Sequence, residues 1–113
     1  MNQDIYIKLL EELLANINDG IHFVDQKNIT QIYNHNMEKI EGMDAKVIIG
    51  KNFRNIFKDI PEEESTLLKA LKGISIKDNI QRYQNKNGKE IIALNTTLPI
   101  KVNGKILGAL EIS

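Results

Sequence analysis

The pattern of apolar positions begins with a helical stripe. Apolar side chains recur at spacings of three to five along the first segment: Ile5, Leu9, Leu10, Leu13, Leu14 and Ile17. This spacing places them on one face of an amphipathic α-helix. Asp4 is a suitable N-cap, and the helix is expected to end before Asn18-Asp19-Gly20, because glycine favours a turn there.

Five short apolar runs bounded by turn residues predict β-strands. The runs are residues 21–25, 29–33, 76–84, 91–100 and 106–112. The first two are close enough to form a hairpin. Asn87-Gly88 and Asn103-Gly104 are strong hairpin turns between the last three. The sequence therefore predicts antiparallel pairing in both groups of strands.

The segment between the two strand groups favours helices. A helical turn or two is expected around Met37 and Met43, and a short helix over 52–57. Pro61 and the three glutamates after it form a strong helix start, because proline fits the first turn and acids complement the helix dipole. A long helix over 62–72 is expected. The element order predicts an α+β fold with an antiparallel sheet.

Composition bounds the class of protein. The 113 residues suffice for one domain, and 15 basic and 15 acidic residues cancel. Nucleic-acid binding by this domain is therefore not expected, because phosphate contacts need a basic surplus. The chain has no Cys, so disulfides and thiolate sites are excluded. No apolar run approaches a membrane span and no signal peptide is visible, so a cytoplasmic protein is expected.

The chain resembles a PAS domain in several segments that occur in the expected order. They are Gly20–Asp25, Ile32–Asn34 with Met37, Ile40 and Gly42, Val47–Lys51, Asn87–Lys89, Leu98–Ile100 and Gly104–Gly108. The resemblance implies a five-stranded antiparallel sheet with short helices on one face and an N-terminal flanking helix. It divides the chain into a flanking helix over residues 1–17 and a PAS domain over residues 18–113. Because the last strand pattern runs to the end of the sequence, the domain is expected to be a fragment of a longer regulator.

A narrower resemblance is to the N-terminal PAS domain of RocR-type activators, which are sigma-54-dependent regulators of amino-acid catabolism genes. The segments that carry it are Asp19–His22, Met37–Gly42, Ser65–Leu68 and Asn95–Pro99. In that family an ATPase domain and a helix-turn-helix follow the sensory domain. The resemblance implies a non-enzymatic sensor that signals to an effector absent from this sequence.

The PAS resemblance also indicates which cofactors to look for. In flavin-binding light sensors a reactive Cys stands where this sequence has Phe53, within Gly50-Lys51-Asn52-Phe53-Arg54-Asn55-Ile56. Phenylalanine cannot form the adduct, so no covalent flavin is expected. Haem is not expected either, because its axial His usually lies on the long helix, here 62–72, which has none. His22 and His35 alone make a weak metal site.

A ligand pocket is the remaining candidate site. Side chains alternate between the two faces of a strand, and the family register points one set inward. That predicted ligand-binding set is His22, Val24, Tyr83, Ala93, Asn95 and Thr97. Alternation alone favours the reverse, with Ile92, Leu94 and Leu98 in the core and Asn95 and Thr97 in solvent. With the family register, the apolar set faces outward, where the first helix can cover it.

The polar inventory of this predicted pocket suits a small zwitterion or carboxylate, because it offers an amide, hydroxyls and an imidazole. His22 ordinarily titrates near neutrality, so a pH-dependent affinity is expected. The sequence thus predicts a sensor for a small polar metabolite, such as an amino acid or carboxylate, which is also a homodimer through leftover apolar surface. Two alternatives stay open: a ligand-free dimerisation or interaction module, and the PAS domain of a histidine kinase.

Overall fold

A computed structural model describes residues 2–113, and Met1 lies outside the described residues. The helices are α1 (Gln3–Asn16), α2 (His35–Glu41), α3 (Ala45–Ile48), α4 (Phe53–Ile56) and α5 (Thr66–Leu71), with a 3₁₀ turn at Glu62–Glu64. The strands are β1 (Ile21–Asp25), β2 (Thr30–Tyr33), β3 (Ile76–Gln84), β4 (Glu90–Val102) and β5 (Lys105–Ile112). This is the predicted α+β order.

The five strands form one antiparallel sheet in the order β2-β1-β5-β4-β3. The predicted turns lie at its hairpins, where Gly88 and Gly104 have φ of 79°. The long β4 pairs with β5 only from Thr96 onward, whereas β3 pairs with it back to Glu90. The β3–β4 hairpin therefore extends past the end of β5.

Helices α2 to α5 and their connections carry the residues that form the core with one face of the sheet. The buried cluster comprises Val24, Tyr33, Met37, Ile48, Phe53, Leu67, Ala70 and Ala109. Asn34 caps α2 through a hydrogen bond from the Met37 backbone N–H to its Oδ1, at 3.0 Å. An asparagine directly before a helix is typical of such a cap.

Two details of the predicted helices are wrong. The N-cap of α1 is Asn2, whose side chain accepts from the Ile5 backbone N–H at 3.0 Å, and Asp4 lies in the first turn. The predicted long helix over 62–72 is broken. Ser65 has extended backbone angles and caps α5 by accepting from the Leu68 backbone N–H. The three glutamates before it form only the 3₁₀ turn.

Helix α1 does not cover the sheet. None of its residues is buried. On the outer sheet face Ile80, Ile92 and Leu94 are 68%, 61% and 58% exposed. The expectation that α1 covers this face is therefore wrong, because the apolar stripe of the helix and the apolar patch of the sheet both stay open to solvent.

Candidate functional site

The inner face of the sheet carries a row of polar side chains across four strands. Tyr33 pairs with His22, His22 with Glu111, and Glu111 with Thr97, in the registers of β2, β1, β5 and β4. Paired residues on antiparallel strands project to the same face. All four are buried. The inward orientation expected from the family register is the one observed, and the solvent-facing alternative for Asn95 and Thr97 is wrong.

A cleft of about 1110 Å³ opens between this face and α4 and α5. Its volume slightly exceeds the roughly 300–1,000 Å³ usual for ligand sites. The lining side chains include His22, Glu41, Gln81, Tyr83 and Glu111, together with Phe53, Phe57 and Thr66. The cleft thus combines an aromatic wall with several polar groups.

The tip of the β3–β4 hairpin closes one end of the cleft. Asn85 Nδ2 donates to the carbonyl of Ile40 at 3.2 Å, and the backbone N–H of Lys86 donates to the carbonyl of Glu41 at 3.0 Å. The Lys86 ammonium reaches over to donate to the carbonyl of Ile56, also at 3.0 Å. These bonds fix the hairpin against the ends of α2 and α4.

The structure brings only part of the predicted ligand-binding set to the cleft surface. His22 and Tyr83 line the cleft. Val24 is fully buried in the core cluster. Ala93 instead borders a separate depression of about 620 Å³, formed with Asp19, Ile40 and Ser113. The prediction that Asn95 and Thr97 line the cavity themselves is wrong, because both lie one layer behind it.

Asn95 and Thr97 position residues that do line the cleft. The amide of Asn95 donates to Oε1 of Gln81, and its Oδ1 accepts from the hydroxyl of Ser113 at 2.6 Å. The hydroxyl of Thr97 donates to that of Thr66 at 2.9 Å. Thr66 in turn hydrogen-bonds the carboxyl of Glu111. Both predicted residues are therefore satisfied by protein partners.

His22 is 1% exposed, and its Nε2 is 2.8 Å from the hydroxyl of Thr30. Its ring meets those of Tyr33 and Phe53 edge-on, with centroids 5.1 and 6.1 Å apart. Burial lowers the pKa of His22 to about 3. The expectation that it titrates near neutrality is therefore wrong, because charging the ring would cost desolvation with no compensating anion.

Two glutamates that the sequence did not single out face the cleft. Glu41 follows Ile40 at the end of α2, and Glu111 is 8% exposed on β5. Burial raises the pKa of both carboxyl groups, and the nearby Glu41 raises that of Glu111 further. The sequence gives one signal for Glu111, which lies two residues after the small residue Ala109 and therefore shares its face of the strand. This signal does not say which face of the sheet is buried.

Phe53 stands where the PAS resemblance places the reactive Cys of flavin-binding light sensors. It is buried, and its ring forms part of the cleft wall against His22.

Among residues 2–113 no helix is both long and apolar enough to cross a membrane. Within the same residues, no group of three His, Cys, Asp or Glu side chains is arranged to hold a metal ion.

Comparisons with known proteins agree with this geometry. The PAS domain family matches residues 18–112. The transcriptional activator RocR of Bacillus subtilis (strain 168) is 39% identical over 106 residues, which are 93% of this chain and 23% of RocR. The chain thus spans about a quarter of the length of this relative.

Solved structures show the same fold. A PAS domain from Colwellia psychrerythraea superposes with a TM-score of 0.72 at 19% identity, over 95% of this chain and 93% of that one. The E. coli DhaR(N)–DhaL complex gives 0.71 at 19% identity, over 96% and 36%. With the inward polar row, the cleft and the sheet order, these matches establish that the chain belongs to the PAS domain family and is homologous to part of a transcriptional activator.

Proposed function

We propose that this PAS domain is the cytoplasmic sensory module of a sigma-54-dependent transcriptional regulator. It binds a small polar metabolite in the cleft and signals to an effector outside this sequence. The observation that carries the proposal is the cleft itself, which combines aromatic walls with several buried polar groups. The homology to RocR supports the regulatory context. The domain acts by binding and not by catalysis.

The polar groups of the cleft favour a hydrogen-bonding ligand over an apolar one. Gln81 and Tyr83 reach the cleft from β3, and Glu111 reaches it from β5. Leaving a buried polar group without a partner costs about 1–3 kcal/mol. A purely apolar ligand would displace water from these groups and return no hydrogen bonds. A polar metabolite replaces the lost water contacts, so its binding is favoured.

Signalling requires that the ligand stabilise one arrangement of the domain over another. A short hydrogen-bonded path leads from the cleft to the end of the described chain. Gln81 lines the cleft, Asn95 bonds Gln81, and the hydroxyl of Ser113 bonds Asn95. The backbones of Ser113 and Gly20 also exchange two hydrogen bonds. A ligand that moves Gln81 therefore acts on the backbone directly before β1 and directly after β5.

A calorimetric experiment tests the binding proposal. A panel of amino acids and small carboxylates is screened by thermal shift, and each hit is titrated into wild-type protein and into Tyr83→Phe. The variant loses a phenol that lines the cleft, so affinity is expected to fall about tenfold or more. Tyr6→Phe changes an exposed tyrosine on α1 and serves as the matched control. Equal affinities for all three proteins would exclude binding in this cleft.

A second function, homodimerisation, is favoured by the open apolar surfaces. The outer-face patch of Ile80, Ile92 and Leu94 and the stripe of α1 together form an exposed apolar area on one chain. Such areas mark interaction sites on soluble proteins. The proposed partner is a second copy, whose α1 covers the sheet patch that its own chain leaves open.

A further inference from the structure

The cleft holds two carboxyl groups that lack a direct ion pair within the described residues. Glu41 from α2 and Glu111 from β5 both line it. The ion pairs found among residues 2–113 involve neither of them. Lys86 is the base whose charge acts on Glu41. Its ammonium, however, donates to the carbonyl of Ile56 and lies 5.3 Å from the centre of the Phe57 ring.

Each carboxyl group has one hydrogen-bonding side chain, and Glu41 has the charge of Lys86 in addition. Glu41 accepts from the hydroxyl of Tyr33 at 2.5 Å. Glu111 is more than nine-tenths buried, opens onto the cleft, and has the hydroxyl of Thr66 as its hydrogen-bonding partner within residues 2–113. A carboxylate can accept about four hydrogen bonds. Most of its accepting capacity is therefore directed at whatever occupies the cleft.

A buried carboxylate of this kind is costly unless a cation or several donors compensate it. Two of them facing one cavity repel each other as well as any anionic ligand. A metal ion does not fit the residues, because no third ligating side chain joins the pair among residues 2–113. An organic ammonium fits better, since its three N–H donors can be shared between the carboxylates and the neighbouring hydroxyls.

We propose that Glu41 and Glu111 form the recognition site for a cationic group, so that the ligand is a small metabolite whose carbon chain ends in a primary ammonium that contacts this carboxylate pair. This inference rests on the proposed ligand-binding function. It also replaces the carboxylate ligand that the sequence suggested, because a carboxylate at this depth would meet two acids of its own sign. If the ligand has a carboxylate, that group lies towards the mouth of the cleft.

Ligand binding should release protons. In the empty domain burial raises the pKa of both carboxyl groups, so part of the population holds a proton near neutral pH. An ammonium favours the ionised carboxylates and lowers their pKa, so affinity rises as pH rises through neutrality. Tyr33, Tyr83 and Lys86 interact electrostatically with the pair, and His22 is the strand partner of Glu111. The other charged side chains that line the cleft are Arg54, Lys58, Asp59, Glu63, Glu64, Lys69 and Arg82. The pKa shifts of His22 and of both tyrosines keep these groups neutral near neutral pH.

The test compares ligands that differ in one group. L-lysine, L-norleucine and L-2-aminoadipate have similar chains that end in an ammonium, a methyl and a carboxylate, and 1,5-diaminopentane has ammonium groups alone. L-lysine and the diamine are expected to bind at least about tenfold more tightly than the other two, because charge complementarity discriminates strongly between opposite signs. Calorimetry in two buffers of different ionisation enthalpy should show proton release.

Substitutions of the two glutamates test whether the ammonium binds at this pair. Glu41→Gln and Glu111→Gln keep the side-chain shape, and each should weaken L-lysine binding about tenfold or more and reduce the proton release. Glu11→Gln on the exposed helix α1, which does not line the cleft, is the control and should change neither. Calcium chloride is titrated separately, and binding of calcium in place of the amines would overturn the inference.

The outcomes separate the two proposals. If L-norleucine or L-2-aminoadipate binds in the cleft as tightly as L-lysine, or if other metabolites bind there and none of the four probes does, the ammonium site is wrong and the sensory function stands. If no metabolite binds at all, both proposals fail. Unchanged L-lysine affinity in both glutamate variants also overturns the inference.

Discussion

Tyr33 and Glu41 join the second strand to the end of α2 by a hydrogen bond of 2.5 Å, donated by the phenol to Oε1 of the carboxylate. Burial, and then the neighbouring Glu41 carboxylate, raise the pKa of Tyr33, so the phenol stays a donor. Burial raises the pKa of Glu41, whereas the bond from Tyr33 lowers it. The phenol therefore helps to keep one acid of the cleft ionised.

Replacing the phenol of Tyr33 should raise the pKa of Glu41. In Tyr33→Phe the carboxylate loses its donor, so the pKa of Glu41 is expected to rise above its value in the wild type. A carbon NMR titration of the glutamate carboxyl resonances measures this, with Glu41→Gln used to assign the signal. Tyr6→Phe on α1 is the control. An unchanged or lower pKa would show that the hydrogen bond does not stabilise the ionised form.

The stability of the empty domain should depend on Glu111 in a defined pH window. Burial, and then repulsion from Glu41, raise the pKa of Glu111 to about 8. Because this pKa is raised, the folded state holds the proton more tightly than the unfolded state. The contribution is fully present below the ordinary glutamate pKa and is lost as pH rises through about 8.

Glu111→Gln removes this loss. The unfolding free energy of the variant minus that of the wild type should therefore be larger at about pH 9 than at about pH 5. Urea unfolding at the two pH values measures the difference, with Glu64→Gln as the control. If the stability of the variant relative to the wild type is the same or lower at the higher pH, the Glu111 carboxyl is not buried without compensation.

Asn34 should be the most costly asparagine to replace. Its Oδ1 accepts from the backbone N–H groups of Ile21 and Met37, and its amide donates to the carbonyls of Leu14 and Asp19. Asn34→Ala leaves these backbone groups unpaired and removes the cap of α2, so a loss of about 2–4 kcal/mol in unfolding free energy is expected.

The control for that measurement is Asn16→Ala, because Asn16 is exposed and bonds only Glu12 of its own helix. Denaturant unfolding of both variants should separate them clearly. Similar small losses in the two variants would mean that Asn34 does not connect α1, β1 and α2 as the structure indicates.

The open sheet patch predicts self-association. Sedimentation of the wild type should show a dimer whose population increases with concentration. Ile92→Glu places a charge in the centre of the patch and should shift the protein to monomer without unfolding it, since this side chain is already exposed. Glu64→Gln, on the cleft side of the sheet, is the control. A wild type that stays monomeric at high concentration would contradict the dimer.

Much of the fold follows from local sequence signals. The Asn87-Gly88 and Asn103-Gly104 turns and the alternating runs fix the β3–β4–β5 meander, because turn chemistry and pleat are local properties. The break at Ser65 was not predictable in the same way. Pro61 and Ser65 are both good helix starts, and only the packed chain shows that the second one begins α5.

The site was less predictable than the fold. The family register pointed Asn95 and Thr97 inward, but their burial behind Gln81 and Thr66 depends on neighbours from other elements. Glu41 and Glu111 are far apart in sequence and resemble ordinary surface acids. Their raised pKa values and the lowered pKa of His22 arise from burial. Spacing along the chain does not reveal that burial.

The central claim is that the cleft is a ligand site, and an NMR titration tests it most directly. The metabolite that gives the largest thermal shift is added to nitrogen-15-labelled domain, and amide shifts are followed at Gln81, Tyr83 and Glu111 and at the outer-face residues Ile92 and Leu94. The account predicts saturable shifts at the cleft residues that exceed those on the outer face. Saturable shifts confined to the outer face, or no saturable shift with any metabolite, would contradict it.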